Sequence, residues 1–553
     1  MSLVVSKTGA VKVTKEDLEP LLSKAGLELS APVLDDFAVL MSNLEASIEA
    51  LPDDKTALPR PDLAKYPRTD IHVPRAEENP LGAWAVKVTA RCTSPSSDLL
   101  KGRTVALKDN MAFAGVRCTN GTAMVDWIPE IDATIATWIM DAGATILGKA
   151  ACENSCMQAL SGTSVTGAVH NPHARGYSAG GSSSGSAALV AAAAVDLAIG
   201  CDQGGSIRIP ASCCGVVGLK PTWGLVPYTG IASLAATVDH AGPMARTARD
   251  CALLLEAVAG ADGWDDRQPP FGLEREGPRV RFVEPLDELL LLPPGREEEE
   301  GGGGGGKKMM MLEGVRVGVL CEGFAVPGQD ENVVAKVRQA AGKLAGLGAT
   351  VRPVSVPLHA EAPVAWMCAL PLAGGREALL GDPGGRKQLY MTDRAELVGG
   401  SRLTQEQFDA LGPGAANMYV GYLWVREKYG AKLQGRCMNV LKRISDAYDA
   451  ALEEVDVLVM PTLPHPPPRM AENGYAEGPL KFMKRTTGLI ANTCPFNNSG
   501  HPALSLPVGF VPAREDPNVK LPVGMQIVGR KFADVDCLKV AAAWEKAYDW
   551  KTF

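Results

Sequence analysis

Histidine is scarce in this chain, with 7 in 553 residues, and none lies between Ser178 and Gly230, where serine and glycine concentrate. That stretch supplies no imidazole of its own. Positive charge is not in excess either: Lys plus Arg is 55 against 63 Asp plus Glu, a net charge of −8. A chain built to grip phosphate backbones carries the opposite sign, so nucleic acid is excluded as the main partner. Long apolar runs are missing. Ala187 to Ile199 is interrupted by Asp196 and is too short to span a bilayer, so it reads as a buried helix and no membrane partner is expected. Met1 to Ala10 shows no basic region followed by an apolar stretch, so no secretory signal is expected. Lys551-Thr552-Phe553 matches no retention or peroxisomal tripeptide. The cysteines lack any repeating frame. Thirteen is an odd number, which favours reduced thiols in a cytoplasmic protein. Cys152 with Cys156, and Cys213 with Cys214, are the close pairs. No second ligand pair at zinc-like spacing accompanies them, so they read as small buried apolar side chains.

Glycine is what the chain has in plenty: 59 of 553 residues, about 11% against a typical ~7%. Thirteen lie between Gly162 and Gly230, and six more form Gly301 to Gly306. Apolar residues are 46% and charged residues 21%, which excludes a disordered chain. At roughly 150 residues per domain the length allows three or four domains, or fewer large ones.

Two helices are expected first. Thr14 precedes the pattern Leu18, Leu21, Leu22. Ser30, with Pro32 just inside, starts a helix carrying Leu34, Phe37, Leu40, Met41, Leu44, Ile48 and Leu51 at helical spacing. Such faces must pack on the main body or on a partner, and a homodimer through these helices is expected. A proline-rich connector runs from Pro52 to about Pro80. From Gly102 onward strands and helices alternate: Thr104 to Leu107, then Ile131 to Ala142, then Thr145 to Leu147, a pattern repeated from Gly314 to Val356. Ala503 to Val508 and Val523 to Val528 supply the last strands, before a closing helix from Ala533 to Tyr548. The class is α/β, with a mixed, mostly parallel central sheet covered by helices. The domains are expected as 1–78, helical segment and linker, and 79–553, catalytic. Within the second, 264–313 includes the run Arg296 to Met311, low in complexity and expected to be disordered.

Chemistry concentrates in Ser178 to Gly230. Gly180-Gly181-Ser182-Ser183-Ser184-Gly185 opens a small-residue helix, and Gly204-Gly205-Ser206 follows the strand Leu197 to Ile199. Glycines before a serine permit backbone conformations that a Cβ disfavours and bring N–H groups close to a ligand. Successive N–H groups at Gln203, Gly204, Gly205 and Ser206 can form an anion nest, serving a phosphate or a tetrahedral oxyanion equally.

Order and spacing here resemble the amidase signature enzymes. Asp202-Gln203-Gly204-Gly205-Ser206-Ile207-Arg208-Ile209-Pro210, Cys214-Gly215 and Gly218-Leu219-Lys220-Pro221-Thr222 are similar to that signature. Val105-Ala106-Leu107-Lys108-Asp109-Asn110, Gly143 to Lys149, Asp456 to Pro461, Gly500 to Leu504 and Gly524 to Gly529 extend the likeness. Within the family, Glu78 to Trp84 resembles the broad-specificity amidases of nitrile-degrading pathways. The resemblance implies the amidase-signature fold and hydrolysis of a small-molecule carboxamide to a carboxylate and ammonia through an acyl-enzyme. It implies Ser206 as nucleophile, Ser182 after a cis peptide bond as bridge, and Lys108 as base, with no metal or other cofactor. Gln203, Gly204 and Gly205 would hold the oxyanion, with Ser183 supporting the site.

Such a base must be neutral, and lowering a lysine from about 10.4 to 7 costs about 4.6 kcal/mol. Burial supplies this only where no carboxylate is near, so Asp109 must point away. Asp202 and Arg208 read as a structural pair. Trp223 and Tyr228 read equally as pocket wall or core, and the acyl pocket is expected from the divergent middle, Trp366 to Tyr422. Ser184, where many members have glycine, Cys213, where an aromatic is common, and the Glu/Gly/Lys/Met insertion depart from the pattern. Two alternatives stand: an amidotransferase-type subunit of a complex, or an α/β-hydrolase-type esterase. Gly181 to Gly185 satisfies G-x-S-x-G, but no apolar strand precedes it.

Overall fold

The structure, a computed structural model, describes residues 13–51, 58–268, 281–293, 309–382, 386, 388–398, 400–471 and 478–553. The chain forms two compact units, Met1–Pro59 and Arg60–Phe553. The first holds α1 (Lys15–Lys24) and α2 (Ala31–Glu49), with Pro32 in the first turn of α2. Asp17 reaches back to the backbone N–H of Thr14, closing the start of α1, and Ser42 Oγ on α2 accepts from Val13 N–H at 2.9 Å. Phe37, Leu40, Leu44 and Ile48 on α2 stay exposed.

In the second unit twelve strands of the described residues form one sheet: β1 Arg68–His72, β2 Trp84–Arg91, β3 Thr104–Lys108, β4 Thr145–Ala150, β5 Leu197–Asp202, β6 Val217–Lys220, β7 His240–Ala245, β8 Arg316–Leu320, β9 Thr350–Val354, β10 Val457–Pro461, β11 Ala503–Pro512 and β12 Lys520–Gly529. Their order is β1-β2-β4-β3-β5-β7-β6-β11-β12-β10-β8-β9. The α/β class and the mixed sheet agree with the sequence reading, but the balance of directions differs. Among the described residues parallel pairing joins only β4-β3-β5 and β10-β8-β9, and the other neighbours run antiparallel. The antiparallel centre arises because β6, β7, β11 and β12 are joined without crossover helices between sheet neighbours, which alternating strand and helix signals do not reveal. Residues 60–78, expected as linker, belong to the second unit, where β1 pairs with β2. Residues 269–280 and 294–308, which carry most of the expected insertion, lie outside the described residues.

The strand β3, in the parallel group β4-β3-β5, is buried on both faces, as parallel strands under helices are. Val105 and Leu107 of β3 join the large core, while Ala106 packs on the other side with Ala187 and Ala188. Those alanines belong to α3 (Ser184–Ala191), whose small residues let it lie close against the sheet. The helix α4 (Arg208–Cys214) follows β5 and ends at Gly215 in the left-handed conformation.

Candidate active site

Three adjacent parallel strands deliver the functional segments to one edge. Lys108, the last residue of β3, pairs with Ala150 at the end of β4, and Leu107 pairs with Ile199 of β5. The chain leaving β4 carries Glu153 and Cys156; the chain leaving β5 carries Gln203 to Ser206. Carboxyl ends of parallel strands are where α/β sheets open a crevice.

Lys108 is fully buried. Its Nζ donates to Ser182 Oγ at 2.8 Å and to the Cys201 carbonyl at 3.3 Å. The Gly181–Ser182 peptide bond is cis, as the resemblance implied. A Cβ on Gly181 would stand 2.5 Å from the Gln158 carbonyl oxygen, so only glycine fits there. Ser183 Oγ donates to the Cys201 carbonyl and accepts from the Cys201 N–H, both at 3.2 Å, which makes it a brace between loop and strand. Ser183 N–H donates to the Ser206 carbonyl at 3.2 Å, tying the two serine loops together. Among the described residues no strand lies between 160 and 183, and Ser183, the middle serine of Gly181 to Gly185, is bonded to the Cys201 backbone, so the strand-before-serine geometry of an α/β-hydrolase is absent here.

The loop after β5 is held from within. Asp202 accepts from Gly205 N–H at 2.7 Å and Ile207 N–H at 3.1 Å. The nest expected from Gln203 to Ser206 is corrected at one position: the Gly205 N–H is already occupied, because the Asp202 carboxylate folds back under the turn. Gly205 has φ +137°, and a Cβ would meet Thr493 Oγ1 at 2.4 Å. The carbonyls of Gln203 and Gly204 accept from Trp366 Nε1 at 3.0 Å and Thr493 Oγ1 at 2.6 Å. Beneath the loop Arg208 places all five N–H groups: two on Asp202, and one each on the Thr493 carbonyl, Gln526 Oε1 and Asn497 Oδ1. Burial alone would raise Asp202, but the Arg208 charge holds it well below the usual carboxylate range. The pair is structural, as expected, and it anchors the loop to β12 and to the segment around Asn497.

Among the described residues no carboxylate is bonded to Lys108. Asp109 turns away, accepting from Thr119 N–H and Oγ1 and pairing with Lys149 at 2.8 Å. The expectation that burial alone sets the charge of Lys108 is nevertheless corrected. Burial works against the ammonium, yet attraction to the ionised sulfur of Cys156, with smaller parts from Cys201 and Cys152, outweighs it, and Lys108 is raised above the ordinary lysine value. Cys156, through its hydrogen bond with Cys152 and the nearby Lys108 charge, is drawn down to about 6. Cys152 and Cys156 are free and buried, in agreement with the sequence. Their spacing after β4 carries no signal that the chain turns Cys156 back toward Lys108, and it does so through positive φ at Ser155 and Cys156.

Ser206, Gln203, Gly204 and Cys156 line a cavity of about 630 Å³. Trp366, Met367, Leu370 and Met418 close it, so the divergent middle supplies wall residues as expected. Among its lining residues none is Asp, Glu, Lys, Arg or His. Trp223 and Tyr228 are not in the wall; the Tyr228 hydroxyl accepts from Gln203 Nε2 at 2.8 Å. A serine–histidine–aspartate chain exists elsewhere, with His501 2.9 Å from Ser499 Oγ and 3.0 Å from Asp449 Oδ1, but none of the three lines this cavity.

A family model described as Amidase matches residues 79–287 and 307–538. An enantioselective amidase of Rhodococcus rhodochrous is 37% identical over 523 residues, covering 94% of this chain and 92% of that protein. A glutamyl-tRNA(Gln) amidotransferase component from Natronomonas pharaonis is 34% identical, covering 82% of this chain and 98% of that one. Among solved structures, a 6-aminohexanoate cyclic dimer hydrolase superposes with a TM-score of 0.65 at 28% identity, over 81% of this chain and 85% of that one.

Proposed function

The chain belongs to the amidase signature family, and from that premise we propose that it hydrolyses an uncharged, apolar carboxamide to a carboxylate and ammonia through Ser206, Ser182 and Lys108. The observation that carries this reading is the 2.8 Å hydrogen bond from the buried Lys108 to Ser182, behind a cavity that contains Ser206. In this reading Ser206 Oγ attacks the amide carbon while its proton passes to Ser182, whose own proton moves to neutral Lys108. The tetrahedral oxyanion faces the N–H groups of Gln203, Gly204 and Ser206, with Gly205 holding the turn. The proton returns to the leaving nitrogen, ammonia departs, and water clears the ester on Ser206. Removing one oxyanion donor in such a site typically costs about 3–4 kcal/mol. A wall without a charged side chain favours an apolar acyl group, because a charged one would be desolvated without a partner.

The test is ammonia release over short aliphatic, aromatic and long-chain amides by wild type, Ser206→Ala and Lys108→Ala. Undiminished turnover in Ser206→Ala would sink the mechanism. The relatives include a component of an amidotransferase, and co-purification with a second polypeptide would favour that role. The exposed apolar residues of α2 support a homodimer through α1 and α2, to be checked by the mass in solution of a Leu40→Gln, Leu44→Gln variant. Thirteen free thiols support a reducing, cytoplasmic setting.

A further inference from the structure

Glu153 is fully buried three residues beyond β4, and it touches the bridging-serine loop at three points. Its N–H donates to the Ser182 carbonyl at 3.1 Å. Its Oε1 accepts from Ser184 Oγ at 2.7 Å. A Cβ on Gly181 would lie 2.9 Å from Glu153 Cγ, so the side chain packs directly against the residue before Ser182. The other oxygen, Oε2, accepts from Gly162 N–H at 3.1 Å, Thr163 N–H at 2.7 Å and Thr163 Oγ1 at 2.6 Å. Four donors therefore converge on one carboxylate, and two of them are peptide N–H groups that cannot reverse.

We propose that Glu153 is a positioning residue for Ser182, acting in its ionised form as the post against which the loop Gly181 to Ser184 is set; this rests on the reading of Ser182 as the bridge between Ser206 and Lys108. A carboxylate uses all four donors. A carboxylic acid must turn an O–H toward one of them, and the loop that holds Ser182 against Lys108 loosens. The serine at position 184 thereby gains a purpose: glycine there would leave Oε1 without its donor. Every partner of the carboxylate is neutral. The titratable groups around it are Cys152 and Cys156 on its own segment and Lys108 on β3, which lies beyond Ser182, and none of them is bonded to it. Burial, against the hydrogen bonds of Thr163 and Ser184, lifts this carboxyl to about 7. The loss of its ionised form therefore falls within an accessible pH range. Glu153 does not line the substrate cavity, so its effect belongs in kcat rather than in KM.

The experiment is the pH dependence of kcat for the full-length enzyme from about pH 5.5 to 9.5, with Glu153→Gln, Ser184→Ala and Ser206→Ala beside wild type. Below about 7 both Glu153 and Lys108 must lose a proton, so log kcat should climb more steeply there than above. Glu153→Gln should lose that extra steepness and about 10²-fold in kcat, the scale of a misplaced catalytic group, at unchanged KM. Ser184→Ala, a milder change, removes a donor that favours the ionised form, so the steep region should move to higher pH. A Glu153→Gln profile that keeps the wild-type shape overturns the proposal, whether or not the variant is less stable; so does a Ser184→Ala profile that stays in place. An active Ser206→Ala would instead overturn the triad, and the two failures are thus separable.

Discussion

The Nζ of Lys108 lies 2.8 Å from Ser182 Oγ, with both residues sealed from solvent. That contact joins the end of β3 to a loop 74 positions later. Replacing Lys108 by Ala or Met should leave circular dichroism unchanged and lower kcat by roughly 10²–10⁴-fold, the usual worth of a positioned general base. Ammonia release under substrate saturation reads the loss. A variant retaining wild-type turnover would remove Lys108 from the mechanism.

The ionised sulfur of Cys156 supports the charge on Lys108, and its removal takes away the largest of the attractions that oppose burial. The lysine pKa then falls, and its neutral, proton-accepting form is present at lower pH. The acid side of the kcat/KM profile of Cys156→Ala should therefore shift to lower pH than in wild type. A shift in the alkaline direction would contradict this account of the site's electrostatics.

Arg208 and Asp202 form a buried bidentate pair whose remaining donors are all used. Taking away one partner strands the other, at a cost of about 3–5 kcal/mol. Arg208→Met should lower the urea midpoint accordingly. Arg208→Lys should rescue little, since three donors on a point charge cannot replace five in a planar fork.

Trp366 borders both the 630 Å³ cavity and a neighbouring one of about 430 Å³. Trp366→Ala should merge the two and shift preference toward longer acyl chains, with KM for long-chain amides falling relative to short ones. The same change frees the Gln203 carbonyl from its indole donor, so kcat should drop for every substrate. An unaltered chain-length profile would show that the wall lies elsewhere.

Local pattern made much of this protein legible. The strand at Thr104 to Lys108, the small-residue helix after Ser183 and the two glycine-serine turns are each written in a few adjacent residues. Chain chemistry acts over that range: a glycine permits its own turn, and alternation or helical spacing marks its own element. Family likeness then tied Lys108, Ser182 and Ser206 into one expectation. What short segments do not encode is which distant groups meet. The direction of β6, β7, β11 and β12, the bonds of Arg208 to Thr493, Gln526 and Asn497, and the sulfurs around Lys108 all depend on contacts between segments far apart in sequence. Glu153 shows this most sharply. In sequence it is one acidic residue among 63 Asp and Glu, and only the fold brings four donors to its carboxylate and sets it against Gly181 and Ser182. A hydrogen-bond network in a dry interior is decided by which groups packing leaves without water, and the tertiary structure alone settles that.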